Sequence, residues 1–143
     1  MELCPTEHFS ASPEETESLG LALSLQPDSV IALYGGLGAG KTCLVKGIAR
    51  SLGIDDCITS PTYTIINEYN ARLNDLPVPL YHIDAYRLNN DDDFESTGAN
   101  ELFGRGIVVI EWSERIPRSI PPDAIIVKIE ITGPETRKIT MRN

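Results

Sequence analysis

The segment that most restricts this fold lies between residues 30 and 53. An apolar run over 30–34, bounded by Pro27-Asp28 and Gly35-Gly36, predicts a short strand. Residues 41–52 place Leu44, Val45, Ile48, Ala49 and Leu52 on one helical face, and Gly53 stops that helix. Between the two stands Gly35-Gly36-Leu37-Gly38-Ala39-Gly40-Lys41-Thr42, which matches G-x-x-x-x-G-K-[ST] at every position. Gly35, Gly38 and Gly40 let the backbone curl, so that amides along the turn, Ala39 included, converge on one anion. The start of the following helix adds partial positive charge. Lys41 is placed to reach β- and γ-phosphates, and the Thr42 hydroxyl to bind Mg²⁺. A glycine-rich turn that merely links strand to helix does not require four glycines, a Lys and a Thr in this register. A P-loop that binds a nucleoside triphosphate is expected.

Such a loop needs an acid at the end of a neighbouring strand to complete a magnesium site. Two strands offer one. In Leu80-Tyr81-His82-Ile83-Asp84 the two-residue period puts His82 and Asp84 on one side. In Ile107-Val108-Val109-Ile110-Glu111 a carboxylate follows an apolar run. Either acid suits magnesium or an attacking water, and spacing alone does not choose between them. The bland alternative for each is a carboxylate that caps a strand or pairs with an arginine.

The rest of the chain reads as follows. Ser12, Pro13 and Glu15 open a helix with a capping box, running to about residue 25 and burying Leu19, Ala22 and Leu23. Strands are expected over 63–69 and 79–86, with Asn74-Asp75 and Pro77 in the turn between them. Residues 89–93 read as a solvated acidic loop and 94–103 as a short helix. Strands over 107–111, 124–131 and 138–142 follow, the last two forming an antiparallel hairpin through Gly133-Pro134. The expected fold is α/β: a P-loop NTPase fold with a mixed central β-sheet flanked by helices, in one domain over 1–143.

Charge narrows the function. Lys plus Arg number 12 and Asp plus Glu 21, a net charge of −9. That argues against a free-standing nucleic-acid binder, which needs cations to neutralise phosphates, while leaving open action on nucleic acid through a partner. No apolar run is long enough to cross a membrane, and no basic start followed by an apolar stretch marks a secretory signal. Three cysteines without a CxxC fit a reducing, cytoplasmic setting. There is no N-K-x-D, and no Asp is followed three residues later by Gly, which makes adenine the expected base. A small-molecule kinase would carry a lid with several arginines, but here the arginines are scattered. Trp112 reads as a packing anchor more readily than a stacking platform, and Cys43 as a small core filler. Arg87 suits either a γ-phosphate or Asp84.

Four blocks in order resemble the TsaE family, also called YjeE. They are the P-loop, Ser60-Pro61-Thr62-Tyr63-Thr64-Ile65-Ile66-Asn67-Glu68-Tyr69, His82-Ile83-Asp84-Ala85-Tyr86-Arg87-Leu88 and Ile110-Glu111-Trp112-Ser113-Glu114-Arg115. The resemblance covers about residues 12–140. It departs at Gly36, where the family usually has Asp, and at Cys43, where Thr is common. What it implies is a weak Mg-dependent ATPase that acts on a complex of TsaD with TsaB in making threonylcarbamoyladenosine in tRNA, with the tRNA held by those partners. It implies that Glu111 joins Thr42 at magnesium and that Asp84 positions water or serves the outer metal shell. Lys41 and Thr62 join these acids in catalysis, Thr62 in a switch loop near the γ-phosphate. The Cys43 amide faces the α-phosphate, and Arg137 and Lys138 lie where the C-terminal hairpin approaches the base. A nucleotide-dependent assembly switch with little turnover, and a small-molecule kinase, are the alternatives.

Overall fold

The computed structural model describes residues 5–55, 58–59 and 65–142. Its elements are β1 (Thr6–Ser10), α1 (Pro13–Leu21), β2 (Val30–Tyr34), α2 (Lys41–Ser51), β3 (Ile66–Leu73), β4 (Leu76–Asp84), α3 (Asp91–Ser96), β5 (Ile107–Glu111), β6 (Ile125–Ile131) and β7 (Arg137–Arg142). Single 3-10 turns occupy Ala99–Leu102 and Ser113–Arg115. The strands form one seven-stranded sheet in the order β1-β7-β6-β2-β5-β4-β3. The inner strands β4, β5, β2 and β6 are parallel, and the outer pairings are antiparallel. Both faces of the inner strands are covered, which is why β2 and β5 are continuous apolar runs. This is the mixed α/β P-loop fold expected from the sequence, with its C-terminal hairpin.

The parallel arrangement brings the carboxyl ends of β2, β5 and β4 together. Asp84 and Glu111 stand opposite each other in register, Glu111 one strand and Asp84 two strands away from the β2 end at Tyr34 where the P-loop leaves. One core layer, including Ile31, Leu33, Leu44 and Ile48, lies between the sheet and α1–α2. A second, around Ile83, Phe94, Ile110 and Ile116, fills the other face. The helices α1 and α2 meet through glycines. A Cβ on Gly20 would stand 2.2 Å from the Leu44 carbonyl oxygen, and one on Gly47 would meet the Glu17 carbonyl oxygen even more closely. Among the described residues no helix is long and apolar enough to cross a membrane.

Several expectations are corrected. Half of the expected α1 capping box forms: the Ser12 hydroxyl accepts from the Glu15 amide, but the Glu15 carboxylate reaches past the cap to the Ala11 amide. The helix stops at Leu21, however, and Ala22 is exposed, because the chain leaves the helix in time for Leu25 to enter the core. Strand β1 was not anticipated; it pairs with β7 across the edge of the sheet. The β3–β4 turn is only Asn74-Asp75, both at positive φ, so the strands run longer toward it than expected. Pro77 lies inside β4, tolerated because β5 pairs with β4 only from Leu80 onward. Strand β4 ends at Asp84, whose carboxylate accepts the Tyr86 amide. The acidic 89–93 stretch is the start of α3: Asn90 caps it, and Asp91, Asp92 and Asp93 fill its first turn, where the helix dipole favours them. The expected helix over 94–103 is the end of α3 and a separate 3-10 turn.

Candidate functional site

The P-loop leaves β2 and enters α2 through left-handed glycines, Gly38 at φ +76° and Gly40 at φ +106°. No side chain caps α2, and the residues of its first turn line a cleft of about 410 Å³. The other walls are Asp84, Tyr86, Glu111 and Trp112. Thus Lys41, Thr42, Asp84 and Glu111, named from the sequence, surround one cavity.

Lys41 folds back over the loop. Its Nζ donates to the Gly35 and Gly36 carbonyls and lies 3.8 Å from the centroid of the Trp112 ring. Burial pushes its pKa down, while Glu111, Glu114 and Asp84 oppose that shift. Thr42 Oγ1 donates to the Glu111 carboxylate at 3.3 Å. Glu111 is buried, and its Oε2 also meets His82 Nε2 at 2.5 Å. Burial raises the Asp84 pKa; the Tyr86 amide pulls it down, Glu111 raises it further, and His82 and Lys41 lower it. The Asp84 and Glu111 environments therefore differ: Glu111 is closed in by Thr42 and His82, while Asp84 opens to the cleft.

A second cleft of about 280 Å³ adjoins the loop on the other side, between Ser12, Pro13 and Thr16 of α1 and Pro134, Glu135 and Arg137. Gly38, Ala39, Gly40 and Cys43 line both cavities. Cys43 is half-buried between them and does not fill the core. Arg137 donates from Nε to the Ala39 carbonyl at 2.9 Å and from Nη2 to the Gly38 carbonyl at 3.2 Å. Lys138, the next residue along β7, pairs instead with Glu7 of β1. Gly35 passes close to β6, where a Cβ would stand 2.8 Å from the Ile129 carbonyl oxygen, and its amide donates to Glu114. A Cβ on Gly36 meets nothing within 4 Å, so the loop has room for the family's Asp.

Trp112 does more than anchor the core. It takes a left-handed backbone at φ +60°, packs on Tyr86 with ring centroids 4.9 Å apart, and forms part of the cleft wall. Arg87 belongs to none of the ion pairs among the described residues, so of its two readings the pairing with Asp84 is not formed there. Thr62 and its Ser60-Pro61-Thr62 block lie outside the described residues. Sequence reasoning missed Tyr86 and Glu114 as parts of the site. The signal for Glu114 was its place three residues after Glu111, which the 3-10 turn at Ser113 converts into a contact with the loop.

Thr42 and Glu111 are hard oxygen donors. Their oxygens stand at 3.3 Å, close to the ~3 Å between neighbouring ligands of an octahedral Mg²⁺. Among the described residues no group of three His, Cys, Asp or Glu is placed to hold a metal alone.

Comparisons with known proteins agree on one family. A family model described as threonylcarbamoyl adenosine biosynthesis protein TsaE matches residues 10–139. A protein of Treponema pallidum (strain Nichols), named tRNA threonylcarbamoyladenosine biosynthesis protein TsaE, is 41% identical over 135 residues, covering 92% of this chain and 96% of its own. The protein of the same name from Bacillus subtilis (strain 168) is 40% identical over 134 residues, covering 92% and 81%. The crystal structure of Bacillus subtilis YdiB superposes with a TM-score of 0.79 at 34% identity, covering 99% of this chain and 86% of that one. With the P-loop, both strand-end acids and the hairpin in these places, the chain belongs to the TsaE family.

Proposed function

We propose that this chain is a single-domain cytoplasmic ATPase that binds Mg·ATP and hydrolyses it slowly, serving threonylcarbamoyladenosine formation at position 37 of tRNA by acting on the TsaD–TsaB complex. The observation that carries the reading is the convergence of Lys41, Thr42, Asp84 and Glu111 on one cleft beside an uncapped helix start. The loop from Gly35 through Gly38, Ala39 and Gly40 shapes the cradle, and the amides of the α2 start, that of Cys43 included, hold the phosphates. Lys41 leaves its carbonyl partners to neutralise the β- and γ-phosphates. Thr42 and Glu111 hold Mg²⁺, which when bound neutralises charge developing on those phosphates. Asp84 uses Oδ1 for the Tyr86 amide, and its other oxygen orients the attacking water; its raised pKa makes it the better base. Thr62 belongs to a switch loop beside the γ-phosphate, and Arg137 to the binding apparatus at the second cleft.

The net charge of −9 supports indirect work on tRNA: the nucleic acid is held by the partners, and this chain docks on them. Phosphate release tests the proposal. Release should rise sharply when TsaB–TsaD is added, and Lys41→Ala should abolish it with the fold intact. Thr62→Ala should lower partner-stimulated release more than ATP binding. Nucleotide-dependent association without release would point to an assembly switch, and transfer to a metabolite to a kinase. Unchanged ATP binding and turnover in Lys41→Ala would remove the P-loop reading.

A further inference from the structure

Arg137 opens β7, 98 residues after the P-loop alanine it touches, and faces the same side of the sheet as buried Ser10, its partner in register. Its guanidinium donates to four carbonyls: Ala39 and Gly38 of the loop, and Gly133 and Thr136 of the β6–β7 turn. No carboxylate takes part; among the described residues the ion pairs do not include Arg137. The planar fork thus ties two backbone segments together and leaves its charge unneutralised beside the loop.

The peptide group makes this consequential. In a trans peptide, carbonyl and amide point in opposite directions. Gripping the Ala39 carbonyl therefore aims the Gly40 amide away from Arg137; the Ala39 amide is already engaged within the loop, where it donates to the Gly36 carbonyl at 3.2 Å. A donor on a carbonyl also polarises the peptide and strengthens its N–H as a donor. Gly38 and Gly40 are free to turn many ways, and an unheld glycine loop would have to be ordered at the expense of binding.

We infer that Arg137 is a positioning residue that holds residues 38–40 of the P-loop in anion-binding shape from behind, acting through backbone carbonyls and not on the nucleotide base. The inference rests on the nucleotide-binding reading above and deepens it.

Two probes separate the possibilities: ATP, and inorganic tripolyphosphate, which has phosphates but no base. Titration calorimetry of the full chain and of Arg137→Gln and Arg137→Lys measures affinity for each, with thermal melts as the folding control. Both probes should weaken together by about tenfold in both variants, the scale of losing charge-assisted hydrogen bonds. Lys should not rescue, because one ammonium cannot span both segments. Weakened ATP with unchanged tripolyphosphate would overturn the inference in favour of a base contact, and full rescue by Lys would overturn it in favour of simple charge. If Arg137→Gln does not fold, the Lys variant decides alone. A wild-type chain that binds neither probe defeats the nucleotide reading itself, a failure distinct from those of the variants.

Discussion

His82 Nε2 and Glu111 Oε2 meet at 2.5 Å across neighbouring parallel strands, with both side chains closed off from solvent. A hydrogen on Nε2 satisfies the contact, and Nδ1 has no hydrogen-bond partner among the described residues. The carboxylate that faces Thr42 is thereby fixed from the other side. His82→Ala leaves that carboxylate buried and short of a donor, and should cost about 3 kcal/mol in urea unfolding. His82→Gln, which keeps an N–H, should recover part of the loss. Wild-type stability in His82→Ala would show that the contact holds nothing.

In the proposed mechanism the two acids have separable duties. Glu111→Ala should weaken Mg²⁺-dependent nucleotide binding by about tenfold or more while leaving binding in excess chelator near wild type. Asp84→Ala should lower hydrolysis with a smaller change in Mg²⁺ affinity. Calorimetric titration of metal into the nucleotide complex checks both. The reverse pattern would exchange their roles.

The α1–α2 crossing tolerates no added carbon. Gly47→Ala puts a methyl group into the Glu17 carbonyl and within 2.8 Å of the Leu21 amide nitrogen. The helices must separate, at a cost of about 3 kcal/mol. A urea midpoint unchanged from wild type would mean that the crossing relaxes freely.

Asp84 links stability to function through pH. Burial raises its folded pKa above the unfolded value, so the folded chain keeps a proton that the unfolded chain has lost. Stability therefore falls as pH rises from the unfolded value through the raised folded one, and the full cost persists at neutral pH. The group is partly exposed, so water screens the effect. Nucleotide-free Asp84→Asn should melt about 1–2 °C higher than wild type at pH 7, with the difference fading at acid pH, while its hydrolysis falls. A lower melting temperature at pH 7 would reverse the sign of this argument.

The sequence showed the site where local rules decide geometry. The P-loop register, the Ser12 cap and the apolar run ending in Glu111 each depend on neighbours within a turn or a strand, and each stands where expected. What was hidden depends on residues distant in the chain. Strand β1 has no strong alternation and exists because β7 offers an edge. Pro77 reads as a turn residue until β5 is known to stop short of it. The glycine contacts of α1 with α2, and the reach of Arg137 to Ala39, have no signature in spacing at all. Trp112 falls between: its place after a core strand suggested packing, but a left-handed backbone turns its ring over Lys41.

The strand order also fixes a timetable. Strand β2, which launches the P-loop, is flanked by β5 and β6, whose residues are made some 75 to 95 positions later. A ribosome that has delivered the whole glycine loop has not yet delivered either neighbour, and Arg137 comes later still. Such long-range pairing is slow to close. The emerging N-terminal half therefore carries the apolar β2 unprotected, and the proposed hold of Arg137 on the loop arrives only with the last strand. Deleting β7 should cost ligand binding as surely as damaging the loop, from the opposite end of the chain.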